Sequence, residues 1–548
     1  MDRLAADRFA TRSVVMARHG MVATSQPLAT EIGVATLRRG GSAVDAAIAA
    51  NAALGLTEPT SCGIGGDLFA IVWDAATERL HGLNASGRSP LSLSLDHFAH
   101  AGLRAIPERG PLSVSVPGAV DGWFELHARF GKLPLRELLA PSIEYAREGF
   151  PVTEVIGAAW AAGARVLQDA PGFAAVFMPN GHPPAVGEPF ANVALAQAYE
   201  LIASDGRAAF YDGPIAAAIE QTVRGNGGRL GREDLAAHRS QWVEPVSATY
   251  RGWRVFELPP NGQGIAVLQM LNILEGFDLG SLEWGSAEHL HLLIEAKKLA
   301  FEDRARFYAD PEFAAVPVER LVAKDYAAAR RALIDRQRAA LAPTHGDAAA
   351  GAGDTVYLAA ADAAGNMVSL IQSNYIGFGS RVTVTPFGFG LQNRGSQFAL
   401  DAQHANAYAP GKRPFHTIIP AFAMRGADEL LAFGVMGAAM QPQGQVQVLS
   451  NIVDFGMGLQ AAGDAPRVRH EGSTEPTGAP PVAGGGTVHL ELGFAAAASD
   501  GLRARGHRIE PAGSPSAFGG YQAIKRDVRQ RVYRGASESR KDGHAAGL

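Results

Sequence analysis

Thr355 stands at the head of an apolar strand-like run, Val356 to Ala361, directly after a flexible Ala/Gly segment that ends in Gly353-Asp354. A polar turn, Asp362 to Asn366, and a second apolar run, Met367 to Ser373, follow. Strand, turn and strand in that order predict a β-hairpin, so the fold must contain an antiparallel sheet built around it. The threonine adds a chemical possibility. Were the peptide bond between Asp354 and Thr355 cut, a hydroxyl and a free α-amine would share one residue, a nucleophile carrying its own base. An α-amine with a reference pKa near ~8 is partly unprotonated at neutral pH and can take the proton that the hydroxyl loses on attack. For an arbitrary threonine the ordinary reading is a β-branched residue opening a strand; the motifs around this one favour the chemical reading.

Periodicity places further elements. Apolar residues recur at helical spacing from Thr30 to Leu56, with Gly40-Gly41 as an internal stop, which predicts two helices. Phe69 to Trp73, a turn over Asp74 to Glu78, and Leu80 to Asn84 predict a second hairpin. Leu135 to Arg147, Ala194 to Ala203 and Ser286 to Tyr308 predict helices. Ala339 to Asp354 has the composition of a linker, and Gly472 to Gly486, rich in Gly, Pro, Ser and Thr, that of a surface loop. The tail from Gly535 to Leu548 is polar and is expected to fray. No internal repeat of fixed period is present.

Composition narrows the class. With 548 residues, 47% hydrophobic and 19% charged, the chain has the usage of a globular enzyme and ample material for a core. A net charge of −5 gives no general basic footprint for nucleic acid or an anionic membrane. One cysteine, Cys62, excludes a disulfide framework, and no motif marks it as a nucleophile. No 18-residue apolar span free of charge predicts a membrane anchor, and the acidic start Met1 to Arg8 lacks the apolar core of a secretory signal, so a cytoplasmic location is expected. Gly63-Ile64-Gly65-Gly66-Asp67 lacks the Gly-Lys-Ser/Thr ending of a phosphate loop and reads as a tight turn. His289 and His291 lie two apart on one helix and do not share a face, so no metal site is expected.

Many ordered motifs point one way. Gly20-Met21-Val22-Ala23, Gly40 to Ala47, Gly63 to Asp67, Val116-Pro117-Gly118-Ala119-Val120, Tyr250-Arg251-Gly252-Trp253 and Ala296 to Arg304 precede Thr355. Leu391-Gln392-Asn393, Arg413-Pro414-Phe415 and Asn451 to Gly456 follow it. The chain from about Gly20 to Gly520 resembles the γ-glutamyltransferase family of N-terminal-nucleophile hydrolases. That resemblance implies an α+β fold, a four-layer αββα sandwich of two antiparallel sheets with Thr355 at a strand start. It also implies a precursor that cuts itself between Asp354 and Thr355. Its halves, 1–354 and 355–548, would stay associated as one intertwined unit, and no metal or organic cofactor would be needed.

The resemblance also implies roles for residues. Gly437-Ala438 falls where the family forms its oxyanion hole from two backbone N–H groups; the family carries two glycines there, and Ala438 departs from that pattern. Ser373, eighteen residues after Thr355, takes the place of a hydroxyl that hydrogen-bonds the nucleophile. Arg88 matches the arginine that grips a substrate carboxylate with its guanidinium fork. His416-Thr417 replaces the assisting pair of serines. Where the glutamyl-specific branch recognises the substrate ammonium, this chain has Tyr375, Arg394 and Gln397. A neutral glutamine cannot balance that ammonium, and Arg394 would repel it. This substitution pattern resembles the acylase and oxamate amidohydrolase branch, with a small carboxy-acyl amide as substrate. Two alternatives stand beside that reading, a true γ-glutamyl hydrolase or transferase that meets the ammonium with other residues, and an unprocessed binding scaffold.

Overall fold

The computed structural model describes residues 9–342 and 354–548. The start Met1 to Arg8 and most of the predicted linker, 343–353, lie outside the described residues.

Two seven-stranded antiparallel sheets lie at the centre. One runs, edge to edge, through His544–Gly547, Gly20–Thr24, Asp354–Asp362, Met367–Tyr375, Asp67–Asp74, Arg79–Ala85 and Gln241–Val243. The other runs through Val15–Ala17, Val532–Ser537, Tyr521–Asp527, Glu429–Val435, Ala421–Arg425, Trp253–Glu257 and Val246–Tyr250. Each of these two sheets takes strands from before and after Thr355, so neither central sheet belongs to one stretch of chain alone.

Side-chain alternation along Asp354–Asp362 explains the layering. Tyr357, Ala359 and Ala361 enter a core shared with Phe256, Phe422, Ala432 and Ile524 of the other sheet. Val356, Leu358 and Ala360 enter a second core, against helices that include Ala43–Thr57 and Ala119–Phe130. Successive side chains point to opposite faces of a sheet, so a strand covered on both faces must be apolar throughout. Helices Gly264–Leu274, Ala287–Phe307 and Met440–Val453 cover the outer face of the second sheet. The result is the αββα sandwich. Among the described residues no helix is long and apolar enough to cross a membrane.

Most predicted elements are present. The double helix of Thr30 to Leu56 is Pro27–Arg38 and Ala43–Thr57, and Ser42 caps the second through a reciprocal capping box with Asp45. The helix predicted over Ser286 to Tyr308 spans Ala287–Phe307. The tail corrects its expectation. Val532–Ser537 pairs with Tyr521–Asp527, and His544–Gly547 pairs with Gly20–Thr24, so the C-terminus is an edge strand rather than a frayed end. Its small residues Ala545, Ala546 and Gly547 carry little apolar signal and are recruited by backbone pairing. The segment Gly472 to Gly486 is irregular as expected, but Ser473, Thr474 and Glu475 within it are buried.

Candidate active site

The hairpin brings Thr355 and Ser373 together. Asp354 pairs with Tyr375 and Val356 with Gln372, so the register slips by one residue at Thr355. Such a bulge re-aims the side chain at the slip. Thr355 is buried, and its Oγ1 donates to Ser373 Oγ at 3.2 Å. Ser373 Oγ also accepts the Tyr375 N–H at 2.8 Å, and Gln441 Nε2 reaches Thr355 Oγ1 at 3.5 Å. The predicted turn Gly63 to Asp67 supports the far end of this strand pair. A Cβ on Gly66 would lie 2.6 Å from the Ser373 carbonyl oxygen, and one on Gly65 2.1 Å from that of Gly390, so only glycine permits this approach.

Gly437 and Ala438 form the turn between strand Glu429–Val435 and helix Met440–Val453. Their φ angles are +108° and +47°. Ala438 therefore occupies the left-handed region that its Cβ disfavours by roughly 1–2 kcal/mol. The turn persists because it is held from outside. Gln441 N–H donates to the Ala438 carbonyl at 3.1 Å, and Gln263 Nε2 bridges the Ala438 and Thr417 carbonyls at 2.9 and 2.7 Å. Arg304 in turn donates to Gln263 Oε1 at 2.7 Å. The carbonyls are thus engaged while the N–H groups precede a helix N-terminus, where partial positive charge gathers.

Beside this turn is a cavity of about 170 Å³ whose wall includes Tyr375, Gln397, Thr417, Ala438, Glu108 and Glu475. Behind it lies Arg394, wholly buried. Its Nη1 donates to Thr417 Oγ1 at 2.6 Å, and its guanidinium stacks 4.5 Å from the Tyr375 ring centroid. Its Nε and Nη2 have no hydrogen-bond partner among the described residues. Burial lowers this arginine to about 10, which leaves it charged at neutral pH. Tyr375 holds φ at +77°, an uncommon angle for an aromatic residue and one that concentrates at functional sites.

His416 sits deeper. Its Nε2 is 3.0 Å from Asp67 Oδ2, and its Nδ1 accepts the Ile418 N–H at 3.4 Å, which assigns the remaining ring proton to Nε2 as a donor to Asp67. Burial, and secondarily Arg394, keeps the ring well below the usual imidazole range. Burial pushes Asp67 up to about 7, against the pull of Arg394 and the N–H groups of Gly87 and Gly118.

Arg88 lies elsewhere. Both Glu312 oxygens accept from its Nη2, at 2.9 and 2.8 Å, Nη1 donates to the Gly411 carbonyl, and Asp310 is 3.6 Å away. Its fork is closed by an ion pair and is absent from the cavity wall. His291, Glu295 and His507 bring ligand-type atoms within 4.8 Å of one another. However, Lys298 donates to Glu295 Oε1 at 2.8 Å and Ala340 N–H to Oε2 at 3.1 Å, so an ammonium already balances that carboxylate.

The sequence profile of the family described as Gamma-glutamyltranspeptidase matches residues 29–548. The chain belongs to this family. The glutathione hydrolase-like YwrD proenzyme of Bacillus subtilis is 36% identical over 96% of this chain and 98% of its own length. The oxamate amidohydrolase proenzyme of Klebsiella pneumoniae is 35% identical over 96% and 98%. The crystal structure of a cephalosporin acylase from Bacillus halodurans superposes with a TM-score of 0.91 at 43% identity, over 98% of this chain and 97% of that one. As a γ-glutamyltranspeptidase-family member the protein is an N-terminal-nucleophile amidohydrolase or acyltransferase. Of the residues that the family pattern singled out, Thr355, Ser373, Tyr375, Arg394, Gln397, Thr417, Gly437 and Ala438 form one connected region around the turn and its cavity. His416 lies beneath it, Arg88 stands apart, and the side chain of Asp354 is outside the described residues. Asp67, Glu475, Gln263 and Gln441 were not among the expected site residues.

Proposed function

We propose that the protein is an autoprocessing hydrolase of small carboxy-acyl amides, of the glutaryl or oxamate type, working through an acyl-enzyme on Thr355. The observation that carries the acyl preference is Arg394, a guanidinium buried behind the wall residues Thr417 and Tyr375, two of whose donor nitrogens have no hydrogen-bond partner among the described residues. A buried fork of this kind matches a carboxylate far better than an ammonium. Names among the relatives, oxamate amidohydrolase and cephalosporin acylase, support the same class.

In this reading Thr355 Oγ first attacks the carbonyl carbon of its own preceding peptide bond. The C–N bond breaks as the nitrogen takes a proton, leaving an ester that water hydrolyses to free the Thr355 amine. In turnover that amine accepts the hydroxyl proton as Oγ adds to the substrate carbonyl. The N–H groups of Gly437 and Ala438 receive the oxyanion, and Ser373 orients the hydroxyl. The protonated amine then delivers its proton to the leaving nitrogen, and water releases the acid. The two fragments remain together because each central sheet is built from strands of both.

A γ-glutamyl substrate is the second reading, and Glu475 and Glu108 on the cavity wall favour it. Glu475 is, however, already paired with Arg304. Competition between glutaryl and γ-glutamyl anilides decides between them. The glutaryl compound should show the higher kcat/KM by about tenfold or more, since only the other must bring an uncompensated cation toward Arg394. A wild-type preference for γ-glutamyl would sink the carboxy-acyl reading.

Asp67 makes this binding depend on pH. Below about 7 it is protonated and leaves Arg394 without a counter-charge; above, its carboxylate competes with the substrate's for the guanidinium. KM for a carboxy-acyl amide should therefore rise several-fold, roughly three to ten, between pH 6 and pH 8. Asp67→Asn should flatten that rise. Steady-state kinetics across the range, with KM read apart from kcat, checks it.

A further inference from the structure

Alanine at position 438, where the family pattern has glycine, gives the oxyanion turn a conformational problem. At φ +47° its Cβ crowds the following carbonyl. Relaxation to a negative φ would turn the Ala438 N–H relative to all the backbone that follows, so the strained angle and the aim of that donor are one question. The helix that begins after the turn does not settle it. Met440 N–H donates to the Gly437 carbonyl at 2.8 Å and Gln441 N–H to that of Ala438 at 3.1 Å. Bonds from three residues onward close turns of either sign of φ and do not by themselves select this one.

Gln263 supplies the selection. It is wholly buried, at the N-cap of helix Gly264–Leu274. Its Nε2 has two hydrogens, and one goes to the Ala438 carbonyl at 2.9 Å, the other to the Thr417 carbonyl at 2.7 Å. Its Oε1 accepts from Arg304 Nη1 at 2.7 Å. Carbonyls only accept and a guanidinium only donates, so the amide cannot flip without losing all three bonds. Arg304 is fixed in turn, by an ion pair with Glu475, a bond to the Thr474 carbonyl at 3.3 Å and the Phe301 ring, whose centroid is 3.8 Å away. The loop that carries Gln263 is fixed as well. His416 N–H donates to the Asn261 carbonyl at 2.9 Å, and Asn261 Nδ2 donates to the Pro414 carbonyl at 2.8 Å.

We propose that Gln263 is a positioning residue of the oxyanion turn, holding the Ala438 carbonyl so that alanine stays left-handed and its N–H stays aimed at the oxyanion. Glycine at 438 has no Cβ to penalise a positive φ and would make that hold largely unnecessary. The amide of Gln263 reaches the reaction only through residue 438. Its second hydrogen fixes Thr417, whose Oγ1 accepts from Arg394 at 2.6 Å, so one side chain also sets the spacing between the oxyanion turn and the acyl cavity. This inference rests on the oxyanion role given to the turn and is independent of which acyl group is preferred.

The test is a double-mutant cycle between Gln263→Met and Ala438→Gly, assayed with whichever anilide, glutaryl or γ-glutamyl, the wild type turns over faster. Methionine keeps the length of the side chain and removes both donors. In the alanine background Gln263→Met should lower kcat on the order of 10²-fold and change KM far less, because oxyanion donors act in the transition state. In the Ala438→Gly background the same substitution should cost about threefold or less, a coupling that a merely structural role would not produce. Self-cleavage passes through the same oxyanion, so its rate on a denaturing gel should show the same contrast even where no mature enzyme forms. Should Gln263→Met not fold, Gln263→Asn, which withdraws the amide by one methylene, carries the comparison on a smaller scale. An equal cost in the two backgrounds, or an unchanged kcat in the alanine one, overturns the proposal. A failure of the acyl reading would appear instead as a preference for the γ-glutamyl anilide with the contrast between backgrounds intact.

Discussion

Thr355→Ala is expected to yield a single uncut chain with amide hydrolysis lowered by about 10³-fold or more, the scale on which loss of a nucleophile is felt. Wild-type protein should separate on a denaturing gel into fragments 1–354 and 355–548, and Edman sequencing of the smaller should begin Thr-Val-Tyr-Leu. The two should still elute together in native gel filtration, because Asp354–Asp362 lies between Gly20–Thr24 and Met367–Tyr375 in one sheet. Thr355→Ser supplies the control. It retains the hydroxyl and, after cutting, the amine, so it should cleave itself and recover part of the activity, whereas a purely structural role for the threonine methyl would leave it as impaired as alanine. Thr355 Oγ1 already lies 3.2 Å from Ser373 Oγ, so Ser373→Ala should slow processing without abolishing it. Wild-type protein that stays whole and nevertheless hydrolyses amides would defeat the mechanism.

What was legible in the sequence follows the range of the interactions involved. The hairpin around Asp362 to Asn366 is local, and once its turn is placed, Thr355 and Ser373 must meet, because antiparallel pairing sets which residues oppose each other. Helices Pro27–Arg38, Ala43–Thr57 and Ala287–Phe307 likewise announce themselves through capping and period. Partnerships across hundreds of residues leave no such trace. Arg88 reads as an open fork until Glu312, 224 positions away, closes on it, and His416 reads as a wall residue until Asp67, 349 positions away, draws it inward. Glu475 was hidden by its setting, since a segment rich in glycine and proline resembles a surface loop even where its middle is buried beside Arg304.

Arg394→Gln should reduce kcat/KM for a glutaryl or oxalyl amide by about 10²-fold or more, mostly through KM, corresponding to ~2.7 kcal/mol of lost charge-assisted binding. Glutamine keeps a donor for Thr417 Oγ1 but loses the charge and the two nitrogens that have no hydrogen-bond partner among the described residues. Self-cleavage involves no substrate carboxylate, so processing should proceed, and its persistence separates lost recognition from a collapsed site. The γ-glutamyl anilide gives the sign of the effect. Removing Arg394 also removes the repulsion felt by an α-ammonium, so kcat/KM for that compound should fall much less and the glutaryl preference should shrink. Gln397→Asp approaches the same balance from the other side. Gln397 lines the cavity with Tyr375 and Thr417, and a carboxylate there would attract the ammonium while repelling the second acid group of a glutaryl chain. The double variant should therefore favour γ-glutamyl over glutaryl anilide, the reverse of the wild type, when both are assayed in competition at fixed pH and salt. If Arg394→Gln lowers both substrates equally, the guanidinium is a structural prop under Tyr375, and the carboxylate is bound elsewhere.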